Sequence, residues 1–512
     1  MYLIHSFDSY DSWSKNHFYG TGDQWPAKWN HITAGEIALA TGATLGIGES
    51  HTVFTGLSTD SRSILNGCLF VALTGDRFDG HDFVQETLRK GASGAIVTRA
   101  FFQSSEAEYF RSIRNGGLPS GEIKSPNPAI LIVDDTLRAL GDLAAWWRRA
   151  HHAKVVGITG SSGKTTAKEM TASVLGIGHR ILKTQRNFNN LIGLPLTLLS
   201  LEEQHERAVL EMGMSRPGEI ARLTEIADPD VGVILNVGMA HMEGLLSLEG
   251  IAEAKAELME EIRPEALMVL NGDDELLMKK ANATSRKTLT FGFGERNDVR
   301  AGRVQSCGLN GTRFEMKYGQ NSWPAELKVP GSHNIMNALA ACAVGIALGE
   351  KPEKFMEGLS LFGGIKGRFG IVRLKGDIIL VDDTYNANPS SLRAAMETVG
   401  TLRPERSRLI VGLGDMLELG SAAVEAHRNA GELVERVGAV HFFAMGVHAR
   451  EMEQGALAAG MPLRSVKIVQ DCEEMAEKIM AEMKERDVIF LKGSRRMGLE
   501  RVSEEIQRRN LE

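Results

Sequence analysis

The stretch that most constrains this chain is KVVGITGSSGKTTAKEMTASVL, Lys154 to Leu175. Val155, Val156 and Ile158 read as a short apolar strand, Gly157, Gly160 and Gly163 punctuate a turn, and the run after Lys164 favours a helix. A strand, a glycine turn and a helix N-terminus in that order suit a phosphate cradle. Small residues let backbone N–H groups close on anionic oxygens, the helix start adds partial positive charge, and a lysine reaches the outer phosphates. Gly160, Ser161, Ser162, Gly163, Lys164, Thr165 and Thr166 are therefore the expected nucleotide-binding residues, with Thr165 placed to ligate Mg²⁺. The general pattern has a glycine five positions before Gly163, where this chain has Ile158. Its glycines fall instead as G-x-x-G-x-x-G-K-T-T, a variant of the loop. The plainer alternative, a glycine-rich turn with an exposed lysine, gives no reason for the strand before it and the helix after it.

A chain of 512 residues exceeds one hydrophobic core, and ordinary domain sizes predict about three domains. Its 43% hydrophobic and 24% charged residues are those of an ordinary soluble globular protein, and a net charge of −7 carries no basic footprint for nucleic acid. No apolar run is long enough to cross a bilayer. The start, MYLIHSFDSYDSW, lacks the basic-then-apolar layout of a signal peptide, so the expected compartment is the cytoplasm. Cys68, Cys307, Cys342 and Cys472 form no C-x-x-C pair, which argues against a disulfide scaffold and a zinc site.

Residues 1–30 show no clear periodicity and read as an N-terminal extension. Residues 31–150 read as a small α/β domain, with strands at Cys68 to Leu73 and Ala95 to Val97 and a helix from Phe83 to Lys90. Its loops collect Asp60, Arg62, Asp76, Arg77, Asp79 and His81, as solvated turn residues or as a polar site. Ser104 to Asn127, rich in Gly, Pro and Ser, reads as a surface insertion.

Residues 151–362 repeat apolar strands that end in polar or glycine turns, the pattern of a mostly parallel sheet whose ligands sit at the carboxyl ends of its strands. Glu211 ends one such strand, and Val231 to Val237 leads on to His241. Glu211 is a candidate to hold Mg²⁺ beside Thr165, and His241 a second metal or a substrate phosphate, although either residue is also an ordinary turn or cap residue. In SLEGIAEAKAELMEEI, Lys255 falls in the apolar stripe of Leu248, Ile251, Leu258, Met259 and Ile262. Either its stem is buried while the ammonium reaches water, or desolvation yields a neutral amine able to take up CO₂ as a metal-binding carbamate. Asn334 and Asn337 share one face of the helix GSHNIMNALAACAVGIAL, where their amides suit the edge of a base, or Asn334 is a helix cap.

Residues 363–512 read as a second doubly wound, Rossmann-like domain with strands at Ile378 to Val381, Leu409 to Leu413, Val440 to Met445 and Val488 to Leu491. It has no phosphate loop of its own, so it is expected to serve the nucleotide from across a cleft.

In order along the chain, GITGSSGKTT, EMG, His241, AKAEL, HNIMNALAA, GRFG and DDTYNANP resemble the Mur ligases, ATP-dependent amino-acid-adding enzymes of peptidoglycan precursor synthesis. The resemblance runs from about His31 to the C-terminus, omitting the insertion. DDTYNANPSS with LGDMLELG is most similar to the members that add D-alanyl-D-alanine to UDP-N-acetylmuramoyl-tripeptide. The segment TDSR…GCLFVAL…GDRFDGHDF is similar to a UDP-binding N-terminal domain shared with the diamino-acid-adding members, whose D-N-P-R motif is absent here.

The resemblance implies roles for individual residues. Lys164 holds the ATP phosphates, Thr165 and Glu211 one Mg²⁺, and His241 with carbamylated Lys255 a second. Asn334 and Asn337 lie against adenine, and Arg368 and Asp383 reach the nucleotide from the third domain. Asp60, Ser61, Arg62 and His81 face the UDP-sugar, while Asn189, Asn190, Asn386 and Asn388 meet the peptide or its acceptor. It also implies a monomer with no nucleic-acid or membrane partner. The rivals are a phosphate-loop kinase or switch GTPase, a non-catalytic nucleotide-binding module, and the sister ligases that add a diamino acid or extend folates.

Overall fold

The computed structural model describes residues 27–75, 78–104, 128–238 and 247–511. The expected extension up to residue 26, insertion residues 105–127, Asp76, Arg77 and His241 lie outside them. The structure is mixed α/β with three sheets, and the chain divides into two compact units, each described here on its own.

The first unit gathers residues up to 153 with segments 184–206 and 222–228. Its sheet contains β1 (Ala27–Thr33), β2 (Thr44–Ile47), β3 (Val53–Ser58), β4 (Leu69–Val71), β5 (Gly94–Thr98) and β6 (Ala129–Val133), in the order β1-β3-β4-β5-β6-β2. The inner strands β3 to β6 are parallel and the two edges antiparallel. Parallel inner strands read as continuous apolar runs because both faces are covered, and β4 and β6 are buried throughout. β1 begins at Ala27, so the last residues of the expected extension belong to the sheet. Helix α1 (Ala34–Thr41) starts at a capping box in which Thr33 and Glu36 satisfy each other's backbone N–H groups. Segment 184–206 joins this unit through tryptophans, a departure from its expected place in a central domain. Trp29 donates to the Leu199 carbonyl at 3.3 Å, and Trp147, on α2 (Thr136–Arg149), to that of Leu201 at 3.1 Å.

The second unit holds the other two sheets. In the nine-stranded sheet, the parallel part has the order β8 (Ile181–Lys183), β9 (Arg207–Glu211), β7 (Lys154–Thr159), β10 (Val231–Ile234), β11 (Leu267–Asn271), β12 (Thr288–Gly292) and β13 (Val299–Ser306). An antiparallel meander through β14 (Thr312–Tyr318) and β15 (Asn321–Leu327) completes it. β7 lies well inside, buried after Lys154, and feeds the phosphate loop into α3 (Lys164–Leu175). Helix α4 (Leu248–Glu261) follows β10, and α5 (Ser332–Ala347), largely buried and rich in alanine, packs on α3.

The remaining sheet has the order β16 (Gly370–Arg373), β17 (Ile379–Asp383), β21 (Val488–Lys492), β18 (Leu409–Gly414), β19 (Ala439–Met445) and β20 (Val466–Val469), parallel except for β16. It has the doubly wound character expected for residues 363–512. Helix α6 (Pro389–Leu402) follows β17 and starts at a capping box formed by Asn388 and Ser391. Helices α7 (Ala423–Arg436) and α8 (Ala449–Ala458) cross so closely that a Cβ on Gly431 would meet the Met452 carbonyl, and one on Gly455 the Arg428 carbonyl. Backbone cannot swing aside as a side chain can. Gly431→Ala is therefore expected to destabilise this domain by about 1–3 kcal/mol, measured as a lower urea midpoint, and an unchanged midpoint would contradict this close crossing.

Candidate active site

The phosphate loop closes where the carboxyl ends of β7, β9 and β10 meet. Gly163 caps α3 at φ +81°, in the left-handed region where glycine carries no Cβ penalty. A Cβ there would also strike the Asn337 amide oxygen, 2.6 Å away, so α5 presses Asn337 against the loop. The Lys164 ammonium donates to the Gly160 carbonyl at 2.7 Å. Burial lowers the Lys164 pKa, Glu211 opposes that shift, and Arg368 and Glu418 add opposing smaller effects. The phosphate-loop lysine thus has two carboxylates and one guanidinium within electrostatic reach.

The loop is braced by a residue that the sequence reading missed. Asn236 accepts from the Ser162 backbone N–H at 2.9 Å and donates to the Ser162 carbonyl at 3.1 Å. Next to it, Ser161 Oγ donates to the Gly238 carbonyl at 2.8 Å and accepts from the Gly238 N–H at 2.9 Å. The expected strand through Val237 stops at Ile234, and its last residues serve instead as this brace.

Lys255 lies on α4, 1% exposed, which rules out the alternative in which its ammonium reaches water. Burial pushes its amine well below the ordinary lysine range, and the charge of Lys164 pushes the same way. Of its expected stripe, Ile251, Leu258, Met259 and Ile262 are buried, whereas Leu248 is exposed. Glu211, 3% exposed, ends β9 beside the loop.

Residues from the third sheet reach the same place. Arg368 donates to Thr165 Oγ1 at 3.2 Å, and its guanidinium lies 4.1 Å from the centroid of the Tyr385 ring. Its Nε is buried with no hydrogen-bond partner among the described residues. Asn388 Nδ2 lies 3.5 Å from the Ser161 carbonyl. Asp383 is turned inward: it accepts from the Phe369 N–H at 3.1 Å and from the Lys492 ammonium at 2.5 Å. Phe369 holds φ +54°, so this carboxylate fixes the turn that aims Arg368 and does not itself present free oxygens. Lys492, 109 residues away, also donates to the Asn386 carbonyl, while the Asn386 amide oxygen accepts from the Ala387 N–H. Asn334 is no N-cap, since Gly331 holds that position, and its amide donates to the Pro330 carbonyl at 2.7 Å.

In the first unit, Arg62 pairs with both oxygens of Asp60, at 2.9 and 2.8 Å. Burial works to raise the Asp60 pKa, but its hydrogen bonds to Arg62 and the Arg62 charge outweigh burial and hold the carboxyl below its usual range. The Ser61 carbonyl accepts from Lys90 at 2.9 Å. His81 is 5% exposed: its Nδ1 is bound to Asp79 and its Nε2 accepts from the Thr98 N–H at 2.9 Å, so both ring nitrogens are engaged inside the domain. Asn190 closes its own loop by accepting from the N–H groups of Ile192 and Gly193. Asn189 and Asn190 belong to this first unit.

The described residues contain no group of three His, Cys, Asp or Glu able to hold a metal, and no helix among them is long and apolar enough to cross a membrane. The family models of the Mur ligase middle domain, the glutamate ligase domain and the Mur ligase catalytic domain match residues 158–345, 367–495 and 53–148. The chain is 36% identical to the UDP-N-acetylmuramoyl-tripeptide–D-alanyl-D-alanine ligase of Bacillus subtilis, over 89% of this chain and 93% of that protein. It is 33% identical to the enzyme of the same name from Escherichia coli, over 88% and 93%. MurF from Acinetobacter baumannii superposes with a TM-score of 0.82 at 31% identity, covering 94% of this chain and all of that one. MurF from Thermotoga maritima in complex with ADP gives 0.75 at 31% identity, covering 88% and 97%. The chain belongs to the Mur ligase family.

Proposed function

We propose that this chain is an ATP-dependent ligase that joins D-alanyl-D-alanine to UDP-N-acetylmuramoyl-tripeptide, in the cytoplasm and as a monomer. The observation that carries the reading is the convergence of Lys164, Thr165 and Glu211 with Arg368 from the third sheet, which suits an enzyme that clamps a triphosphate. The relatives named for this reaction match nearly the full chain, and one neighbouring structure holds ADP. In this reading residues 31–150 bind the UDP-sugar, 151–362 bind ATP, and 363–512 bring the acceptor.

The tripeptide carboxylate is a poor acyl donor. Its oxygen attacks the γ-phosphorus of ATP, ADP leaves, and an acyl phosphate forms. The dipeptide amine then attacks the acyl carbon, inorganic phosphate leaves, and an amide remains. Lys164 and the backbone N–H groups of residues 160–166 hold the phosphates, and Arg368, already at Thr165, offsets charge on the transferred group. Asn334 and Asn337 flank adenine, Asp383 keeps Arg368 aimed, and Asn386 and Asn388 line the acceptor side. Asp60, Ser61 and Arg62 face the nucleotide sugar, with Asn189 and Asn190 toward its peptide, while His81 sets the shape of its loop.

Mg²⁺ fits the donors present. It is commonly held by one or two carboxylates with phosphate and water, and Thr165 and Glu211 supply a hydroxyl and a carboxylate beside the loop. The desolvated amine of Lys255 suits carbamylation, which with His241 would supply ligands for a second ion. Bound there, Mg²⁺ would neutralise phosphate charge as it builds up.

Phosphate release with ATP and Mg²⁺ tests the reading. Turnover is expected only when UDP-N-acetylmuramoyl-tripeptide and D-alanyl-D-alanine are both present, with a product heavier by one dipeptide. Release with neither substrate would make the chain an ATPase or switch, and release with a different amino acid would make it a sister ligase.

A further inference from the structure

An acceptor dipeptide with two methyl side chains offers an enzyme little to hold besides its charged ends. Its amine must reach the acyl carbon, and its free carboxylate sets it apart from a capped or longer peptide. Two residues fully extended span at most about 7 Å. A guanidinium that far from the reacting group, with donors to spare, suits such a carboxylate, because its planar fork matches both oxygens at once. Arg495, in the loop KGSRRMG after β21, has this character.

The turn before Arg495 is pinned to two neighbouring loops. Lys492 donates to Asp383 and to the Asn386 carbonyl. The buried Ser494 donates from its N–H to the Asp415 carbonyl at 2.9 Å, and its Oγ accepts from the Leu417 N–H at 2.9 Å and donates to the Ala387 carbonyl at 3.4 Å. Arg495 is thereby set against Tyr385, its guanidinium 5.3 Å from the centroid of the ring, within cation–π range. The Arg368 guanidinium, which donates to Thr165 at the phosphate loop, lies 4.1 Å from the centroid of the same ring. The two guanidinium carbons are therefore no farther apart than those two distances laid end to end. That places Arg495 within reach of the carboxylate of a dipeptide whose amine stands beside the group that Arg368 holds. The Arg495 side chain is 45% exposed, and its Nη1 donates to Glu500 Oε1 at 3.0 Å. Among the described residues this is the one hydrogen bond that its guanidinium makes, which leaves Nε and Nη2, one edge of the fork, for a ligand.

We propose that Arg495 is a specificity-determining residue, the group that pairs with the C-terminal carboxylate of the acceptor dipeptide. Glu500 holds Nη1 and the Tyr385 ring supports the guanidinium, so the fork is oriented before the acceptor arrives. Arg368 then faces the phosphoryl group while Arg495 fixes the far end of the incoming dipeptide, and Tyr385 sets the spacing between them. The role rests on the ligase reading above.

Removing either partner of the pair tests it. The wild type is expected to use D-alanyl-D-alaninamide, whose C-terminus is neutral, with a KM about 10- to 100-fold above that for D-alanyl-D-alanine, as for the loss of one charge-assisted pair. Arg495→Met should raise the KM for the dipeptide by a similar factor. It should leave the melting temperature and the KM for the amide, for ATP and for UDP-N-acetylmuramoyl-tripeptide unchanged. Arg495→Lys, which keeps the charge and loses the fork, should fall between the two. An unchanged dipeptide KM in Arg495→Met, or an equal rise for dipeptide and amide, would overturn the role. A wild-type protein inactive with both acceptors would instead overturn the ligase reading, and the role with it.

Discussion

Lys164→Ala is expected to lower tripeptide-dependent phosphate release by about 10³-fold or more, in line with the loss of a preorganised charge at a developing anion. The substitution removes little from the fold. Among the described residues the ammonium donates one hydrogen bond, to the Gly160 carbonyl, and an ordinary hydrogen bond contributes about 0.5–1.5 kcal/mol net. In the proposed function that bond would be exchanged for contacts with the nucleotide phosphates. Burial weakens the charged form and Arg368 adds to that, while Glu211 and Glu418 favour the ammonium without overcoming burial, so its pKa stays below the ordinary lysine value. Lys164→Arg should fare little better, because a planar fork cannot occupy the space of a compact ammonium. Steady-state rates with melting curves decide the matter: a folded Lys164→Ala protein within tenfold of wild type would remove this lysine from the chemistry.

The phosphate loop was legible because its requirements are local. Gly163 must hold a positive φ, Lys164 must follow, and a helix must begin there, all within one short stretch. The parallel strands were legible for a related reason, since burial on both faces leaves continuous apolar runs such as Leu409–Gly414. The meander β13 to β15 was not. Its strands alternate exposed polar and buried apolar residues, as in Thr312–Tyr318, and their pairing is set by register across turns. Long-range partners were also hidden. Lys492 and Asp383 carry no local pattern that links them, and Asn236 looks like any residue at a strand end until it is seen holding Ser162. The resemblance implied that His81 and Asp383 face ligands. The structure shows both engaged with neighbouring backbone and side chains, because a buried polar group must find partners wherever the fold supplies them.

Lys255→Met should abolish most activity while leaving melting temperature unchanged or higher. A lysine buried among Ile251, Leu258 and Met259 is a poor choice for stability, because its unfolded chain binds a proton that the folded state resists. The sign follows from that depressed pKa. Between the folded value and the unfolded value of about 10.4, the unfolded state carries more protons, so stability rises with pH across that window. Methionine keeps the volume, removes the titration and ends the penalty. A residue that costs stability yet sits beside the phosphate loop is better explained by chemistry than by packing. Lys255→Ala should lose activity as well, and its smaller side chain leaves room for a short carboxylic acid to stand in for a carbamate. Partial recovery with acetate or a homologue, absent in Lys255→Met where the space is filled, is the expected outcome. Full activity of either variant would end the carbamate reading, and a sharp drop in the melting temperature of Lys255→Met would return this lysine to the core as a structural residue.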